Sequence, residues 1–549
     1  MAQRQVDVLI VGAGVSGLNV AYRLQERCPE LSYRIVEGRG RLGGTWDLFR
    51  YPGVRSDSDI YTLAFPFQPW RGANSIVDGE EIWAYLDATA RDHALDEHID
   101  FGTRVRSANW SSADARWHVE ADCAGEPVTY VARFVAFCTG YYDYAHPYDP
   151  GFVGVADYEG TLVHPQFWPA DLDYDDKRVL VIGSGATAVT IVPAMAPRAA
   201  HVTMLQRTPT YVLAQPRTDG LADALRRVLP LRIAHQIIRA KNTAVGWAFY
   251  RACRRWPGAM RRLLRAGAAR ALGSQRLADE YFRPPYEPWD QRLCLIPQGD
   301  LFREIRHGSV SVVTGAIDRF VGKGVRLTTG EVLEADLVVT ATGLSIQLLG
   351  GVEVTLDDAP VDVSRCYTYY GAMLSGLPNL GVCIGYINLS WTMRSDLTAR
   401  LLARVLRRLV DTGADVVMPV APPDLGPAGP FMQMQSGYLR RAADRMPRAT
   451  RRYPWAMRQN VVVDAWATNR ADLDNGLQWT ALPLGIDGDL AHQQTHPRVG
   501  VAREPGASGA LVDVADDHIH AVQRRVVRGA PHHHRLAEDH HGDSAERTD

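Results

Sequence analysis

Hydrophobic positions in the N-terminal part of the chain change spacing in the order of a strand, a turn, a helix and a second strand. Residues 6–11 form a β-branched run, VDVLIV, which predicts a strand. The glycine turn GAGVSG follows, and the next segment has apolar residues at helical spacing. A second strand is expected at 33–38. Because the same order returns at 177–196 and 201–207, we expect two similar α/β units.

Two further strand-like runs end in the similar tripeptides CTG at 138–140 and ATG at 341–343. We expect these runs to carry the chain into and out of the second unit, so that the first domain is built from both ends of the sequence. The predicted fold class is α/β, with two Rossmann-like dinucleotide-binding domains, the second inserted in the first. A helical insertion and a disordered C-terminal tail complete this prediction.

These patterns divide the chain into predicted regions. The first part of the first domain spans 1–145. The second domain spans 146–335 and contains a basic helical insertion at 220–275. The second part of the first domain, with the substrate pocket, spans 336–484. Over 485–549 the periodicity fails and polar residues dominate, which predicts the disordered tail.

Composition and charge exclude several classes of protein. With 549 residues, of which 46% are hydrophobic, the chain can form more than one core. Its 60 basic and 62 acidic residues give no overall bias toward nucleic acid. The seven cysteines include no C-x-x-C pair, so neither a redox dithiol nor a metal site is predicted. We expect a cytoplasmic protein, because neither a signal peptide nor an apolar stretch of about 18 residues occurs.

The segment 224–270 stands apart because it holds twelve Lys or Arg residues and no acidic residue, interleaved with apolar residues. Amphipathic helices of this composition suit an anionic membrane surface, which would place the protein peripherally at the inner face of the cell membrane, or another subunit of an oligomer. A solvated basic face on a helical insertion is the alternative. The sequence leaves these alternatives open.

The first glycine turn has the spacing of a dinucleotide site. Gly12, Gly14 and Gly17 permit a tight turn, close approach of the main chain to a pyrophosphate and close packing of helix on strand. The helix that begins near Ser16 offers free N–H groups to phosphates. Glu37 ends the next strand, where a carboxylate can accept both hydroxyls of an adenosine ribose.

The second turn repeats this arrangement, but the strand that follows it ends in a different type of residue. Gly183, Gly185 and Ala188 form the turn GSGATA, but the following strand ends in Arg207 instead of a carboxylate. A cation there suits the 2′-phosphate of NADPH and gives NADH no ribose partner. A surface arginine without a ligand is the alternative. An N-terminal dinucleotide unit followed by a second one is typical of flavoproteins that also use a nicotinamide.

The segment YEGTLVHPQFWP at 158–169 lies directly before the second glycine turn. It resembles the signature of Baeyer–Villiger and related flavin monooxygenases, aromatic-x-G-x-x-x-H-x-x-x-W-P, with Tyr158 where Phe is more usual. Over about residues 5–480 the chain is most similar to the ethionamide-activating subgroup. The other matching segments are GGTWDLFRYPGVRSDSD (43–59), LQRTPTYV (205–212), PWDQRLCLIPQGDLF (288–302), TATGLSIQ (340–347) and GYINLSWTMRSDL (385–397).

The resemblance implies an FAD- and NADPH-dependent monooxygenase that converts ketones to esters or lactones through a flavin peroxide, with sulfur oxidation as a further activity. Its expected partners are a small ketone or thio-compound and O₂. Two other activities remain open, an N- or S-oxygenating flavin monooxygenase and a non-oxygenating NADPH-dependent flavin reductase. The absence of a C-x-x-C pair argues against a disulfide reductase.

The resemblance also implies which residues bind the cofactors. The residues expected to hold FAD are Gly12, Gly14, Ser16, Gly17, Glu37, Gly44, Thr45, Trp46, Asp57 and Val105. Those expected to hold NADPH are Gly183, Ser184, Gly185, Ala186, Thr187, Ala188, Val189, Arg207 and Thr208. Gln291 occupies a position where the resembling enzymes often carry lysine, so selectivity for the 2′-phosphate is expected to depend more heavily on Arg207.

Three residues are implied to serve the chemistry. Arg292 matches an arginine placed over the flavin, where a permanent positive charge stabilises an anionic oxygen. Asp57 is expected to pair with Arg292, although an Asp in the run RSDSD also suits a turn. His164 lies in the link between the units and is expected to order domain motion, with a purely structural role as the alternative.

Trp391 fits a position near the active site or in the core. The residues expected to line the substrate pocket, with core packing as the alternative, are Tyr367, Tyr369, Tyr370 and Met373.

Overall fold

A computed structural model describes residues 2–432 and 434–481 of the chain. The predicted tail at 485–549 lies outside the described residues. In the described part of the chain, no helix is long and apolar enough to cross a membrane.

The strands of the first half are β1 (Ala2–Val11), β2 (Tyr33–Val36), β3 (Ile99–Asp100), β4 (Thr103–Ser111), β5 (Arg116–Cys123), β6 (Glu126–Phe137), β7 (Thr161–Val163), β8 (Arg178–Ile182), β9 (His201–Gln206), β10 (Val212–Gln215) and β11 (Cys294–Pro297). Those of the second half are β12 (Val310–Thr314), β13 (Ile317–Val321), β14 (Gly324–Leu327), β15 (Val332–Glu334), β16 (Leu337–Thr340), β17 (Glu353–Leu356), β18 (Ala359–Pro360), β19 (Thr368–Tyr369), β20 (Met373–Leu374), β21 (Leu380–Val382), β22 (Val416–Pro419), β23 (Gly429–Pro430), β24 (Arg448–Ala449) and β25 (Leu477–Thr480).

The helices are α1 (Val15–Arg27), α2 (Thr45–Leu48), α3 (Ile60–Leu63), α4 (Gly79–Asp92), α5 (Ala186–Met195), α6 (Gly220–Val228), α7 (Leu231–Arg255), α8 (Pro257–Leu272), α9 (Gln275–Tyr281), α10 (Asp300–His307), α11 (Trp391–Thr412), α12 (Gly437–Ala442) and α13 (Val461–Asn469).

A first sheet is built from strands near both ends of the described chain. Its order is β18-β17-β4-β5-β6-β1-β2-β3, and β21 joins it beside the end of β6. The strand β1 runs parallel to both β2 and β6, and its last four residues are buried because side chains pack on both faces. Helices α1 and α11 pack together on this sheet, and a buried ion pair joins Arg23 to Asp396 at 2.7 Å.

A second sheet has the order β12-β9-β8-β16-β7, and all of its pairings are parallel. Its strands come between β6 and β17 in the sequence, so they interrupt the strands of the first sheet. The predicted α/β class with two Rossmann-like units is confirmed. The residues at which the predicted domains begin and end stay predictions.

The basic segment 224–270 is helical, as expected, and one of its helices forms part of the protein core. The helix α7 packs on α3 through buried residues that include Ala234 and Ile238. The buried Arg239 donates hydrogen bonds to the carbonyl oxygens of Tyr61, Thr62 and Ala64 at 2.6 to 3.0 Å. These carbonyls end α3 and have no partner within that helix, so Arg239 caps it.

Candidate active site

A cavity of about 1150 Å³ lies where strands of both sheets end. Its lining includes residues 11–12 after β1, 138–140 after β6, 182–183 after β8 and 341–343 after β16. In open α/β sheets, ligands bind in the crevice outside the carboxyl ends of parallel strands. Both glycine turns therefore face one shared space.

The first turn fits so closely that side chains are excluded at two positions. Gly12 has a φ of +104°, and a Cβ there would lie 2.8 Å from the carbonyl oxygen of Cys138. A Cβ on Gly17 would lie 1.9 Å from the carbonyl oxygen of Gly12. Gly12 itself lines the cavity, whereas Gly17 packs behind the turn. Gly17 therefore shapes the turn but does not face the cavity.

The second turn repeats this geometry. Gly183 has a φ of +140°, and a Cβ there would lie 2.3 Å from the carbonyl oxygen of Ala341. Its N–H donates to Leu205 at 2.8 Å, just as the N–H of Gly12 donates to Val36 at 2.8 Å. The tripeptides at 138–140 and 341–343 are thus equivalent, because each supplies the main chain against which one turn packs.

Glu37 lies beside the first turn, directly after β2. Its carboxylate accepts hydrogen bonds from the main-chain N–H of Ala13 at 2.8 Å and of Arg39 at 2.9 Å. Burial raises the pKa of Glu37, and these two donors oppose the rise. The carboxylate is therefore held at the wall of the cavity in a fixed direction.

The segment before α3 forms another part of the wall. Gly44 has a φ of +56° and precedes α2, and a Cβ there would approach Gly14 to 3.3 Å. The hydroxyl of Thr45 lies 3.3 Å from that of Tyr144. Trp46 also lines the cavity. Of the other residues expected to hold the first cofactor, Gly14, Ser16, Asp57 and Val105 line it as well.

Arg292 and Asp57 form a bidentate ion pair at the cavity wall. The guanidinium Nε and Nη2 donate to the two carboxylate oxygens at 2.6 and 2.8 Å. Its Nη1 donates to the carbonyl oxygen of Ile387 at 3.0 Å. Burial works against the charge, but the adjoining Asp57 carboxylate outweighs it and raises the pKa of Arg292. The structure thus brings together two residues that lie far apart in the sequence.

Arg207 is the exposed cation at the end of β9. It lines the cavity, and no carboxylate of the described residues forms an ion pair with it. The neighbouring Thr208 accepts a hydrogen bond from the hydroxyl of Ser184 at 3.0 Å. Residues 183–187 and 189 of the second turn also face the cavity, while the fully buried Ala188 does not line it.

His164 lies outside the cavity lining, away from the pair formed by Arg292 and Asp57. Its Nδ1 accepts a hydrogen bond from the N–H of Gln166 at 3.2 Å, at the start of a short 3₁₀ helix. Gln166 in turn donates to the carbonyl oxygen of Asp143 at 2.8 Å, within the link between the sheets. Burial lowers the pKa of His164 to about 4, so the imidazole is neutral near pH 7.

Of the two alternatives left open for four residues after position 365, pocket lining and core packing, the structure shows core packing. The side chains of Tyr369, Tyr370 and Met373 are buried in the main core, and Tyr367 packs against it, away from the cavity. Trp391 does line the cavity, where its Nε1 donates to the hydroxyl of Ser16 at 2.8 Å. The rings of Tyr369 and Tyr370 pack against each other and against Trp455 and Tyr453.

Sequence patterns missed three tyrosines that do line the cavity near Arg292, namely Tyr141, Tyr142 and Tyr438. The first two follow the CTG tripeptide directly, so that position was the available signal. Tyr438 lies on α12, where no motif marks it.

The charge of the lining suits phosphate-bearing ligands. Among the described residues, the cavity is lined by six arginines and by two carboxylates, those of Glu37 and Asp57. Two glycine turns without obstructing side chains and an excess of positive charge fit two dinucleotides, each with a pyrophosphate. The fold and the cavity therefore define a protein that binds two dinucleotide cofactors.

Comparisons with known proteins extend this conclusion. The flavin-binding monooxygenase-like family matches residues 5–240. The FAD-containing monooxygenase EthA of Mycobacterium tuberculosis is 47% identical over 483 residues, 88% of this chain and 99% of the relative. EthA of Mycolicibacterium smegmatis is 47% identical over 459 residues, 83% of this chain and 93% of the relative.

Solved structures show the same fold. Steroid monooxygenase bound to NADP superimposes with a TM-score of 0.69 at 21% identity, over 87% of this chain and 100% of the other. Cyclohexanone monooxygenase in an open form gives a TM-score of 0.69 at 20% identity with the same coverage. The chain belongs to the family of FAD-containing monooxygenases, and the resemblance noted in its motifs is confirmed. It is an NADPH-dependent flavoprotein monooxygenase.

Proposed function

We propose that the protein is a Baeyer–Villiger-type monooxygenase that converts small ketones to esters or lactones and also oxidises sulfur in thio-compounds. The observation that carries this proposal is the ion pair of Arg292 and Asp57 at the wall of a cavity shared by two dinucleotide turns. Similarity to EthA supports oxygenation, and the permanent cation favours the ketone reaction, in which negative charge develops on oxygen.

The residues around the two turns would hold the two cofactors. For FAD they are Gly12, Gly14, Ser16, Glu37, Gly44, Thr45, Trp46, Asp57 and Val105, with Gly17 supporting the turn from behind. For NADPH they are residues 183–187 and 189, Arg207 and Thr208, with Ala188 packed behind the turn. Once NADPH has reduced it, the bound flavin would supply the activation of O₂.

The protein contributes a fixed positive charge. Asp57 holds two nitrogens of Arg292, and the carbonyl oxygen of Ile387 holds the third. A guanidinium fixed in this way needs no reorganisation when negative charge develops on a reacting oxygen, and its raised pKa keeps it charged at every working pH. We assign Arg292 to charge stabilisation and Asp57 to its orientation.

We assign a positioning role to His164, which directly follows the edge strand β7 of the second sheet and so lies just beyond the link in which it was expected. Its neutral imidazole accepts a main-chain hydrogen bond from Gln166, and the side chain of Gln166 ties this segment to residue 143 in the link between the sheets. Such contacts fix the geometry of a connection that domain motion must bend. His164 does not supply a proton in this proposal.

The test compares Arg292→Ala with the wild-type holoenzyme. We expect flavin reduction by NADPH to persist, because the variant keeps both glycine turns. Ester formation should fall by about 10²- to 10³-fold, the usual effect of losing one preorganised charge interaction. Stopped-flow absorbance measures the reduction, and mass analysis measures the ester. Ester formation near the wild-type rate would refute the assignment of Arg292.

A matched control is Arg254→Ala, because Arg254 pairs with Asp290 outside the cavity. We expect this variant to behave as wild type. Products of the wild type on a ketone and a thioether distinguish the candidate activities. Ester and sulfoxide support the proposal, sulfoxide alone supports a heteroatom monooxygenase, and neither product with NADPH consumption supports a reductase.

We also propose that the outer face of helices α6–α8 contacts an anionic membrane surface. Between residues 228 and 263, six large apolar residues have 43% to 76% of their surface exposed, and exposed arginines lie among them. Apolar insertion combined with basic charge is the composition of interfacial helices. The apolar residues are Val228, Ile233, Ile237, Val245, Trp256 and Leu263. The exposed arginines among these helices include Arg227, Arg232, Arg255 and Arg262.

Sedimentation with vesicles of anionic phospholipid tests this contact. We expect binding at low salt, weaker binding at high salt, and loss of binding in the double variant Trp256→Ser with Leu263→Ser. The control Val332→Ser, which changes an exposed residue on β15, should bind as wild type. The protein is also examined without vesicles. If it self-associates and the double variant abolishes this self-association, the face binds a second copy of the chain instead of a membrane.

A further inference from the structure

The cavity near Arg292 has an aromatic wall that carries hydroxyl groups. The rings of Tyr141 and Tyr142 have centroids 4.5 Å apart, and their hydroxyl oxygens lie 3.2 Å apart. Tyr141 also stacks on Trp391, with ring centroids 5.2 Å apart. Tyr438 lines the same cavity from α12. This wall therefore combines flat apolar surfaces with hydrogen-bonding groups.

An apolar cluster supports the wall from behind. Tyr141 is buried among Ile346, Ile384 and Ile387, and Tyr142, Trp391 and Tyr438 pack against the same cluster. Tyr142 is further fixed by an antiparallel bridge to Ile346. Hydroxyl groups on rings packed in this way keep their positions when a ligand enters, which is the property of a preformed small-molecule site.

The tyrosines act as hydrogen-bond donors at every working pH. Burial raises the pKa of Tyr141, Tyr142 and Tyr438, and the positive charge of Arg292 opposes the rise without cancelling it. Each phenol is thus protonated and can donate its hydrogen. Arg292 has five N–H groups, of which Asp57 and the carbonyl oxygen of Ile387 accept three. This end of the cavity is therefore rich in hydrogen-bond donors.

We propose that the hydroxyls of Tyr142 and Tyr438, together with Arg292, bind the carbonyl oxygen of a ketone substrate and thereby set the preference for ketones over thio-compounds. This inference rests on the proposed function. A carbonyl oxygen accepts strong hydrogen bonds, whereas thioether sulfur is a weak acceptor. Removing the donors should therefore lower the rate of the ketone reaction and leave the rate of the sulfur reaction nearly unchanged. Trp391 and Tyr141 supply the flat surface for the organic group beside the carbonyl.

The experiment uses a matched pair of substrates, benzyl methyl ketone and benzyl methyl sulfide, with the holoenzyme. The variants are Tyr142→Phe, Tyr438→Phe and the double change, each of which keeps the ring and removes the hydroxyl. We expect kcat/KM for the ketone to fall about five- to tenfold in each single variant, the effect of one lost hydrogen bond. For the sulfide we expect less than about a twofold fall, because its sulfur makes little use of the donors.

A second readout does not depend on turnover. Titration of the oxidised holoenzyme with benzyl methyl ketone, followed by flavin absorbance, should show a dissociation constant weakened by a similar factor. The control Tyr250→Phe changes a tyrosine that packs on Trp289 outside the cavity, and it should leave both readouts unchanged.

Equal losses on ketone and sulfide, or no loss on either, would overturn the inference. These results are distinguishable from failure of the proposed function. If the wild type makes no ester from the ketone, the proposed function fails. If the wild type makes the ester and the variants keep the wild-type ratio of ester to sulfoxide, only the role of the two hydroxyls fails.

Discussion

Gly17 shows how a single residue determines whether a dinucleotide turn can form. In the folded protein the main chain of its own turn occupies the space where a Cβ would lie. The opposing atom is a backbone carbonyl oxygen, so a flexible side chain cannot move aside. The turn and the first part of α1 would have to separate to admit even a methyl group.

Gly17→Ala is therefore expected to displace the turn and release FAD. The overpacked contact should lower the free energy of unfolding by about 2 kcal/mol or more. The ratio of flavin to protein absorbance after purification measures retention of the cofactor. Gly258→Ala is the control. Gly258 lies in α8, and a Cβ there would meet no atom within 4 Å. Full flavin content in Gly17→Ala would contradict the expectation.

Arg207 is the residue on which selectivity for NADPH is expected to depend. Its side chain has no carboxylate partner among the described residues, so its charge is available to a phosphate. Arg207→Ser should raise KM for NADPH about 10- to 100-fold, the effect of losing a charge-assisted hydrogen bond, and leave KM for NADH unchanged. Steady-state kinetics with both coenzymes measures this difference. Equal changes in the two KM values would show that Arg207 does not contact the 2′-phosphate.

At this scale, glycine spacing located the two turns, because it is visible in a linear sequence, whereas the pair of Arg292 and Asp57 was expected only from the resemblance to a known family. The tyrosines at 141, 142 and 438 were not found, since their shared wall forms only when Tyr438 of α12 packs in one cluster with the residues that follow β6. For Tyr369 and Tyr370 the sequence left pocket lining and core packing open, and both lie in the core. Sequence shows that a ring is apolar, but it does not show which way a short strand turns it.

The helix α7 shows how one element can carry both structural and surface functions. Its inner face places His235 and Arg239 against α3, while Ile233 and Ile237 are exposed on its outer face. Sequence predicted an amphipathic basic helix. It could not predict that one of the twelve basic residues is buried as a cap for α3, because capping depends on the position of a neighbouring helix.

His235 gives this junction a pH dependence. Burial, aided by the charge of Arg239, lowers the pKa of His235 from its ordinary 6.5 to about 4. As the pH falls, His235 therefore takes up a proton near pH 6.5 in the unfolded chain but only near pH 4 in the folded protein. The stability contributed by the neutral imidazole is complete above pH 6.5 and is lost progressively as the pH falls toward 4.

We expect His235→Gln to flatten this dependence. The fall in the free energy of unfolding between about pH 7.5 and pH 5 should shrink by about 2 kcal/mol relative to wild type. Urea unfolding at the two pH values measures it. His307→Gln, at the exposed end of α10, is the control and should keep the wild-type slope. An unchanged slope in His235→Gln would show that the buried imidazole does not titrate as described.

At the scale of the whole molecule, two ion pairs of opposite polarity join the two units beside the cavity. Asp57 pairs with Arg292, and Arg55 pairs with Asp300 at 2.6 Å. Arg55 and Asp57 belong to the first unit, while Arg292 and Asp300 lie on either side of β11 in the second. The second pair is largely buried, with side-chain exposures of 9% and 14%. Its geometry therefore helps to fix where Arg292 stands.

Asp300→Asn should loosen this connection and reduce the fraction of NADPH that yields oxygenated product. A buried arginine without its partner is costly, so we expect lower thermal stability and about a two- to fivefold rise in hydrogen peroxide released per NADPH. The double reversal Arg55→Asp with Asp300→Arg should restore part of the coupling. Asp318→Asn, in an exposed pair with Arg326, is the control. Unchanged peroxide release in Asp300→Asn would show that the pair has no influence on Arg292.

The repeated strand-turn-helix pattern was sufficient to predict the α/β class and the insertion of one unit in the other. The short strands β17–β21 could not be predicted in the same way. Runs of two to four residues are too short to show a period of two. The places of β17 and β21 are decided by pairing with β4 and β6, which lie much earlier in the sequence, and β18, β19 and β20 pair with their neighbours among these short strands.

The pairing of β21 with β6 has a consequence for the order in which the protein is made. On the ribosome, β6 emerges long before β21, and every strand of the second sheet is synthesised between them. The nascent chain must therefore keep the end of β6 available while a complete unit folds beside it. Only when residues 380–382 leave the exit tunnel can β21 take its place beside β6 in the older sheet.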